Sequence, residues 1–162
     1  LTDKELNYIC NVIKSFILSR KEIVTYRKLE LSDKKNYLQL MNNFRPTKLD
    51  MDDNEYEDIF NHITKNGTII VAEMNGQLIG SITVLIEQKF IHNSSKYAHI
   101  EDVFVSEHIR NKKVGKNLVE KSIDFCRQQD IMKISLNCAQ DLSKFYSVCG
   151  FEQRQINMSM LV

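Results

Sequence analysis

The sequence contains few of the residues that interrupt or rigidify a fold. Its 162 residues include one proline, five glycines and no tryptophan. No repeat, low-complexity segment or linker divides the chain. These absences predict a single domain over residues 1–162, with residues 1–21 as an N-terminal helical extension.

Cysteine is present, but not in a pattern that binds metal or cross-links a secreted chain. The four cysteines form no CxxC pair, and no cluster has the spacing of zinc ligands. We therefore expect no metal, a reducing cytoplasmic compartment, and thiols that pack as small buried hydrophobes. The alternative is a cysteine nucleophile at Cys138 or Cys149, for which no histidine partner can be recognised.

A surplus of charge of one sign and a long apolar run are also lacking. Lysine and arginine number 22 and aspartate and glutamate 21, so the net charge is +1. This balance argues against general binding of nucleic acid or of an anionic membrane. The apolar stretch near the N-terminus is interrupted by Lys14 and Arg20, so we predict no membrane span.

The spacing of apolar residues predicts an α/β (α+β) fold. Helical periodicity predicts helices over residues 4–20, 33–43, 52–65, 115–129 and 141–149, with Gly67 ending the third. Alternation predicts strands over residues 22–30, 68–74, 78–87, 97–105, 131–137 and 152–162, and Asn75-Gly76 predicts a hairpin turn. Together they predict a mixed sheet flanked by helices. The first helix is expected to pack on its own domain, the alternative being a partner-binding element.

The most informative segment, residues 100–115, reads IEDVFVSEHIRNKKVG. A predicted strand ends at Val105 and a predicted helix begins at Gly115. The first amides of such a helix lack intrahelical partners and attract anions, and glycine lets a ligand approach the backbone. Positive charge is added by Arg110, Lys112, Lys113 and Lys116. A pyrophosphate site is one interpretation, and a solvated basic helix start is the other.

Further motifs point to a family. R-x-x-x-x-G at residues 110–115 precedes a predicted helix and strand, then F-Y-x-x-x-G-F at residues 145–151. This order resembles the GNAT acetyltransferases. Within them, EQKFIH (87–92), HIEDVFVS (99–106) and KFYSVCGF (144–151) resemble the eukaryotic glucosamine 6-phosphate N-acetyltransferases. The resemblance implies a mostly antiparallel GNAT sheet with splayed central strands. It also implies direct acetyl transfer from acetyl-CoA to glucosamine 6-phosphate, for UDP-N-acetylglucosamine biosynthesis.

The resemblance implies where acetyl-CoA binds. In that family the strand carrying HIEDV splays from its neighbour at a bulge, and the free edge of this strand receives the pantetheine arm. That edge comprises Val103, Phe104 and Val105, and an amide near Val103 would polarise the thioester carbonyl. The resemblance implies that the pyrophosphate is wrapped by Arg110, Asn111, Lys112, Lys113, Val114, Gly115 and Lys116. The family usually has glycine at two of these positions, where this chain has Asn111 and Lys113.

The resemblance also implies catalytic roles for three residues. Tyr146 matches the family tyrosine that contacts the cofactor and acts as general acid toward the leaving thiolate. Glu101 and Asp102 match residues that orient the amine and take its proton, and on a regular strand their side chains would point to opposite faces. Without the resemblance, Tyr146 would be interpreted as a packing residue and the acidic pair as a surface feature.

For the acceptor, the resemblance implies a phosphosugar site formed by Lys89, Phe90, Ile91, His92, Glu101, Asp102 and Asn137. Lysine suits a phosphate as a point charge. Leu142 replaces an asparagine that contacts the cofactor, and Leu161 replaces a basic residue near the sugar phosphate. Two alternatives therefore stay open: a GNAT enzyme for another small amine or a protein amine, and a non-catalytic CoA-binding module.

The resemblance further implies a homodimer whose acceptor sites draw on both chains. The apolar segment at residues 156–162 would suit a strand exchanged or packed across such an interface. No nucleic acid is expected as a partner.

Overall fold

The computed structural model describes residues 1–18, 23–109 and 113–162. Within these ranges a five-stranded sheet is flanked by helices. The strands are β1 (Val24–Lys28), β2 (Gly67–Met74), β3 (Gln77–Gln88), β4 (Lys96–Val105) and β5 (Ile131–Leu136). The helices are α1 (Asp3–Leu18), α2 (Lys34–Phe44), α3 (Asp53–Lys65), the single turn α4 (Ile91–Ser94), α5 (Val114–Gln128) and α6 (Ser143–Val148).

The strands lie in the sheet in chain order, β1 to β5. The first three pairings are antiparallel, and β4 pairs with β5 in parallel after the chain crosses over through α5. Asn75 and Gly76, with φ of 53° and 76°, make the β2–β3 turn, where two left-handed residues match the twist of a hairpin. The predicted mixed, mostly antiparallel sheet and its hairpin are confirmed.

Each face of the sheet carries its own hydrophobic cluster. Ile82, Ile100 and Leu118 are at most 2% exposed and form the cluster on the α5 face. Val71 and Phe104 belong to the opposite cluster, against which α2 and α3 pack. Each such side chain contributes about 1.5–3 kcal/mol on burial, so both faces are firmly held.

An ion-pair network fixes the start of α2 on the sheet. Arg27 of β1 donates to both carboxylate oxygens of Asp33, at 2.6 and 2.8 Å, and to Glu73 of β2 at 2.7 Å. Asp33 lies just before α2 and is buried. The hydrogen bonds from Arg27 lower the pKa of Asp33, against the opposing effect of its burial. The network therefore holds the α2 side chains in place over the sheet.

The predicted role of Gly67 was wrong. The helix α3 ends at Lys65 with Asn66 as its C-cap, and Gly67 is already the first residue of β2. A Cβ atom at Gly67 would lie 2.1 Å from the carbonyl oxygen of Val84. Glycine is required there because β3 approaches closely, and not because a helix must stop.

The predicted final strand over residues 152–162 is also wrong. The residues after Phe151 form no strand, and the side chains of Ile156, Met158 and Leu161 are at least 90% exposed. A strand needs a neighbour that satisfies its N–H and C=O groups. No strand edge in the described part of this chain pairs with the tail.

The expectation that α1 packs on its own domain is not met over residues 1–12, and the rest of its apolar stripe lies outside the described side chains. All residues from 1 to 12 are exposed, including Leu6, Ile9 and Val12. The apolar stripe of α1 is therefore open over the side chains that the structure describes. Among the described helices, none combines the length and the apolarity needed to cross a membrane.

Candidate active site

The sheet opens between β4 and β5. The parallel pairing joins Lys96–Ile100 of β4 to Ile131–Leu136 of β5 and ends where Ile100 faces Leu136. Residues 101–105 continue β4 without a partner on β5. Their backbone groups on that side are open to an extended ligand, as at other free strand edges. The predicted splay of the central strands is confirmed, and we call this opening the fork.

A bulge in β4 lies at the fork. Ser81 of β3 pairs with Phe104, and Thr83 pairs with Glu101, so two steps along β3 match three steps along β4. The extra residue is inserted next to Asp102, whose φ of 49° is left-handed. Such a bulge re-aims side chains and leaves backbone groups unpaired, which is why bulges are frequent beside active sites.

The bulge changes which face each side chain of β4 occupies. Ile100 packs in the α5 cluster, whereas Phe104, four residues later, packs in the α2–α3 cluster. An unbroken strand would place both on one face. The expectation that Glu101 and Asp102 point to opposite faces rested on that alternation, which does not hold across Asp102. Both acidic side chains are exposed.

His99 connects Glu101 to β5. Its Nε2 lies 3.1 Å from Glu101 Oε1, and its Nδ1 lies 2.9 Å from Ser135 Oγ. Because both ring nitrogens have partners, the orientation of the imidazole is set and Glu101 is held beside the fork. His99 was not among the predicted site residues. Its signal was the two-residue spacing from Glu101 on a strand, which places both side chains on one face.

Three basic side chains surround Tyr97 on the same face of β4. The Nζ atoms of Lys89 and Lys133 each lie 5.5 Å from the centre of the Tyr97 ring, and His92 stacks on that ring at 5.9 Å. Tyr97 lies four residues before Glu101, about 13 Å along the strand. The predicted pair Lys89 and His92 is therefore brought together. Lys133 was missed because only the pairing of β4 with β5 places it opposite Tyr97.

The basic cluster is held by an unusual turn. His92, Asn93 and Ser94 all have left-handed backbones, with φ of 54°, 57° and 57°. The turn is closed by the hydrogen bond from the Lys89 amide to the Ser95 carbonyl, at 3.0 Å. Left-handed residues other than glycine cost about 1–2 kcal/mol each, and such conformations cluster at functional sites.

Three predicted acceptor residues are not brought into contact with this site within the chain. The side chains of Phe90 and Ile91 are 101% and 63% exposed, so both project into solvent from the turn. Asn137 is exposed immediately after β5. Their role in acceptor binding stays a prediction.

The start of α5 adjoins the fork. Lys113 is its N-cap, with a left-handed φ of 60° and no capping side-chain hydrogen bond. Val114 is buried, and a Cβ at Gly115 would lie 3.6 Å from Val105 Cγ2 at the end of β4. The first amides of α5 therefore lie next to the free edge of β4. Lysine occupies here a backbone conformation that glycine adopts more readily.

The basic residues of this junction are only partly described. Lys116 Nζ lies 3.6 Å from Glu120 Oε1, one turn along α5, and remains partly exposed. Arg110, Asn111 and Lys112 lie outside the described residues. Their predicted contact with a pyrophosphate is therefore carried forward as a prediction.

Tyr146 packs inside the α5 cluster, 8% exposed. Its ring makes edge contacts with Phe145 and Phe151, at centroid distances of 5.0 and 6.1 Å. Burial raises the pKa of its phenol, and the neighbouring Cys138 and Cys149 raise that pKa further. The phenol therefore stays protonated at neutral pH and is able to donate a proton.

Comparison with known proteins places this geometry in a family. The profile of the Acetyltransferase (GNAT) family matches residues 36–151. The chain belongs to the GNAT acetyltransferase family. The matched residues begin in α2 and end after α6, so they contain the fork, the bulge and the start of α5.

Relatives of this GNAT chain match it over most of its length. Glucosamine 6-phosphate N-acetyltransferase of Arabidopsis thaliana is 35% identical over 144 residues, covering 85% of this chain and 96% of that protein. Glucosamine 6-phosphate N-acetyltransferase 1 of Oryza sativa subsp. japonica is 29% identical over 145 residues, covering 86% and 87%. The crystal structure of the Arabidopsis enzyme aligns with a TM-score of 0.80 at 34% identity, covering 86% of this chain and 99% of that one. The predicted family and fold are confirmed.

The cysteines of this GNAT chain differ in exposure. Cys126 is buried, Cys149 is partly buried, and Cys10 and Cys138 are exposed. The expectation that cysteines are buried hydrophobes is confirmed for Cys126 and is wrong for Cys10 and Cys138. Within the described ranges, no three His, Cys, Asp or Glu side chains are grouped so as to hold a metal ion.

Proposed function

We propose that this GNAT chain is a glucosamine 6-phosphate N-acetyltransferase, which transfers acetyl from acetyl-CoA directly to the amine of the sugar. The observation that carries the proposal is the fork, where a free strand edge, an acidic pair and a helix start adjoin one another. The names and the coverage of the plant relatives support the same acceptor.

The donor would lie along the fork. An extended pantetheine arm would pair with the free edge of β4 at Val103, Phe104 and Val105. The amide of Val103, which has no partner residue on β3, would donate to the thioester oxygen. The pyrophosphate would bind the open amides at the start of α5, beside Lys113 and Lys116 and the predicted loop residues.

The chemistry requires one proton to be taken and one to be supplied. The amine nitrogen attacks the thioester carbon, the new C–N bond forms and the C–S bond breaks. The acceptor attacks as the neutral amine, and Glu101, held by His99, and Asp102 would orient it and accept the one proton that its nitrogen loses once the C–N bond has formed. Tyr146 is protonated and would donate to the departing sulfur, which gives CoA as the free thiol.

The basic cluster around Tyr97 favours a phosphosugar over a cationic acceptor. Lys89, Lys133 and His92 lie on the face of β4 that carries Glu101, displaced along the strand. An amino-sugar phosphate has its amine and its phosphate at opposite ends, which suits the acid at one end of this face and the lysines at the other. A polyamine would instead bring its positive charges close to the ammonium groups of Lys89 and Lys133, which would repel it.

We also propose that the protein is a homodimer. It would work in a reducing compartment such as the cytoplasm, and its product would enter amino-sugar nucleotide synthesis. The tail at residues 156–162 exposes apolar side chains that a second chain would cover. Phe90 and Ile91 expose further apolar surface near the acceptor face. Light scattering at assay concentration tests the dimer, and a monomer that turns over normally would refute it.

The decisive test of function is a coupled thiol-release assay with acetyl-CoA. The acceptor panel is glucosamine 6-phosphate, glucosamine, spermidine and a peptide amine, with Tyr146→Phe measured beside the wild type. We expect release with glucosamine 6-phosphate, slowed in Tyr146→Phe. Thiol release only with another amine would refute glucosamine 6-phosphate as the acceptor. If no acceptor gives thiol release although acetyl-CoA still binds, the result would favour a non-catalytic CoA-binding module.

A further inference from the structure

One hydroxyl group lies behind the histidine that holds Glu101. His99 is opposite Leu85 on β3 and Ser135 on β5, so its polar cross-strand neighbour is Ser135. The Oγ atom of Ser135 lies 2.9 Å from His99 Nδ1 and 3.3 Å from the carbonyl oxygen of Ala98. Ser135 is partly buried, whereas the side chain of Glu101 is 47% exposed. A chain of hydrogen bonds therefore leads from the sheet, through the imidazole, to the carboxylate at the fork.

The chemistry of these groups decides which nitrogen of the imidazole carries the proton. An ionised carboxylate can only accept, so His99 Nε2, which lies 3.1 Å from Glu101 Oε1, must donate. A neutral imidazole has a single N–H group, and its Nδ1 must then accept. The hydroxyl of Ser135 can donate to Nδ1, which is closer to its oxygen than the Ala98 carbonyl is. Both ring nitrogens of the neutral imidazole are satisfied only in this tautomer.

The same arrangement fixes the direction of the carboxylate. His99 binds Oε1 of Glu101, and no residue in the described ranges binds Oε2. Because the ring is held at both nitrogens, it cannot turn away without losing two hydrogen bonds. Oε2 is therefore the oxygen that is left to meet an amine at the fork.

We infer that Ser135 is a positioning residue for the transfer reaction. By donating to Nδ1, it keeps His99 in the tautomer whose Nε2–H holds Oε1 of Glu101, and Oε2 stays free for the acceptor amine. The inference rests on the proposed function, because it assumes that the acceptor amine lies at Glu101. Ser135 acts through His99 and does not need to touch the acceptor.

Substitution of the hydroxyl tests the inference. Ser135→Ala is expected to lower kcat about fivefold, with the KM for acetyl-CoA unchanged, because the hydrogen bond that orients the imidazole is lost. Ser135→Thr keeps a hydroxyl and suits a strand, so it should restore most of the rate. The matched control is Ser122→Ala, which removes a buried hydroxyl that donates to the Val119 carbonyl within α5, at 2.7 Å, and should leave kcat unchanged. A wild-type rate in Ser135→Ala, or equal losses in Ser135→Ala and Ser135→Thr, would refute the inference.

A double-mutant cycle separates positioning from packing. His99→Gln places an amide donor near the position of Nε2 but has no polar atom that corresponds to Nδ1. Ser135→Ala is therefore expected to have no further effect on kcat in the His99→Gln background. A loss of the same size in both backgrounds would assign Ser135 to packing and contradict the proposed role.

A second measurement does not depend on turnover. The tautomer of His99 is read from 15N NMR of labelled histidine at a pH where imidazole is neutral, with His99→Gln used to assign its signals among the four histidines of the chain. We expect the proton on Nε2, and Ser135→Ala should shift the Nδ1 signal, because that nitrogen loses its donor. A proton on Nδ1, or an Nδ1 signal that does not move, would overturn the inference whatever the acceptor. The expected signals in an enzyme that acetylates no amine would instead refute the proposed function alone.

Discussion

Lys133 offers the sharpest test of the proposed phosphosugar site, because the pairing of β4 with β5 places it opposite Tyr97 in the basic cluster. Its Nζ lies 5.5 Å from the centre of the Tyr97 ring, and the described residues include no carboxylate paired with it. Its neighbour Lys89 is instead paired with Glu87 at 2.5 Å. A phosphate could therefore bind the ammonium group of Lys133 without displacing a carboxylate.

The expected size of the effect follows from this arrangement. A hydrogen bond between charged partners contributes about 1.5–3 kcal/mol. Lys133 is exposed, so solvent screening reduces the effect to just below that range, about 1.4 kcal/mol or tenfold in affinity. We expect Lys133→Met to raise the KM for glucosamine 6-phosphate about tenfold and to leave kcat nearly unchanged.

The assay compares glucosamine 6-phosphate with glucosamine, which lacks the phosphate. Lys133→Met should lower the ratio of kcat/KM for glucosamine 6-phosphate to kcat/KM for glucosamine, since only the phosphorylated acceptor loses a contact. Glu87→Gln should act in the opposite direction and lower the KM for glucosamine 6-phosphate, because it releases Lys89. Lys121→Met, an exposed lysine on α5, is the control for loss of a charge. An unchanged KM in Lys133→Met would refute the placement of the phosphate.

Three other outcomes are expected. Tyr146→Phe should lower kcat about 100-fold with little change in either KM, measured by thiol release; an unchanged kcat would assign Tyr146 to packing alone. Gly67→Ala should destabilise the fold by about 3 kcal/mol, measured by urea denaturation, because its Cβ would lie 2.1 Å from a backbone carbonyl of β3; a loss under about 0.5 kcal/mol would contradict that clash. The lowered pKa of Asp33 contributes stability above its ordinary pKa, which is lost as pH falls through the lower pKa of the folded state. Arg27→Met should therefore weaken the protein at neutral pH and flatten its acid-unfolding curve; a curve parallel to that of the wild type would refute this origin.

Much of the fold was predictable because its signals are local. Asn75-Gly76 encodes its turn by the backbone freedom of two residues, and the helix near Gly115 is encoded by its apolar stripe. Where a signal depended on a distant partner, prediction failed. Gly67 was assigned to the end of a helix because β3, which actually requires the glycine, is 17 residues further along the chain.

The candidate site was predictable only in part, for the same reason. Tyr146 and Glu101 stand in motifs that are continuous in sequence. His99 and Lys133 each meet a partner on the adjoining strand, Ser135 for His99 and Tyr97 for Lys133. Strand register is set by packing of whole faces, so no single segment reveals it.

By itself, the sequence determined the class of fold and the family, because the periodicity of apolar residues and the short motifs are properties of continuous segments. Only the tertiary structure decided where the pairing of β4 with β5 ends, which face Phe104 occupies, and which lysine joins Lys89 at Tyr97. One inserted residue in β4 shifts every later side chain to the other face. That shift becomes visible only when β3 is placed beside it.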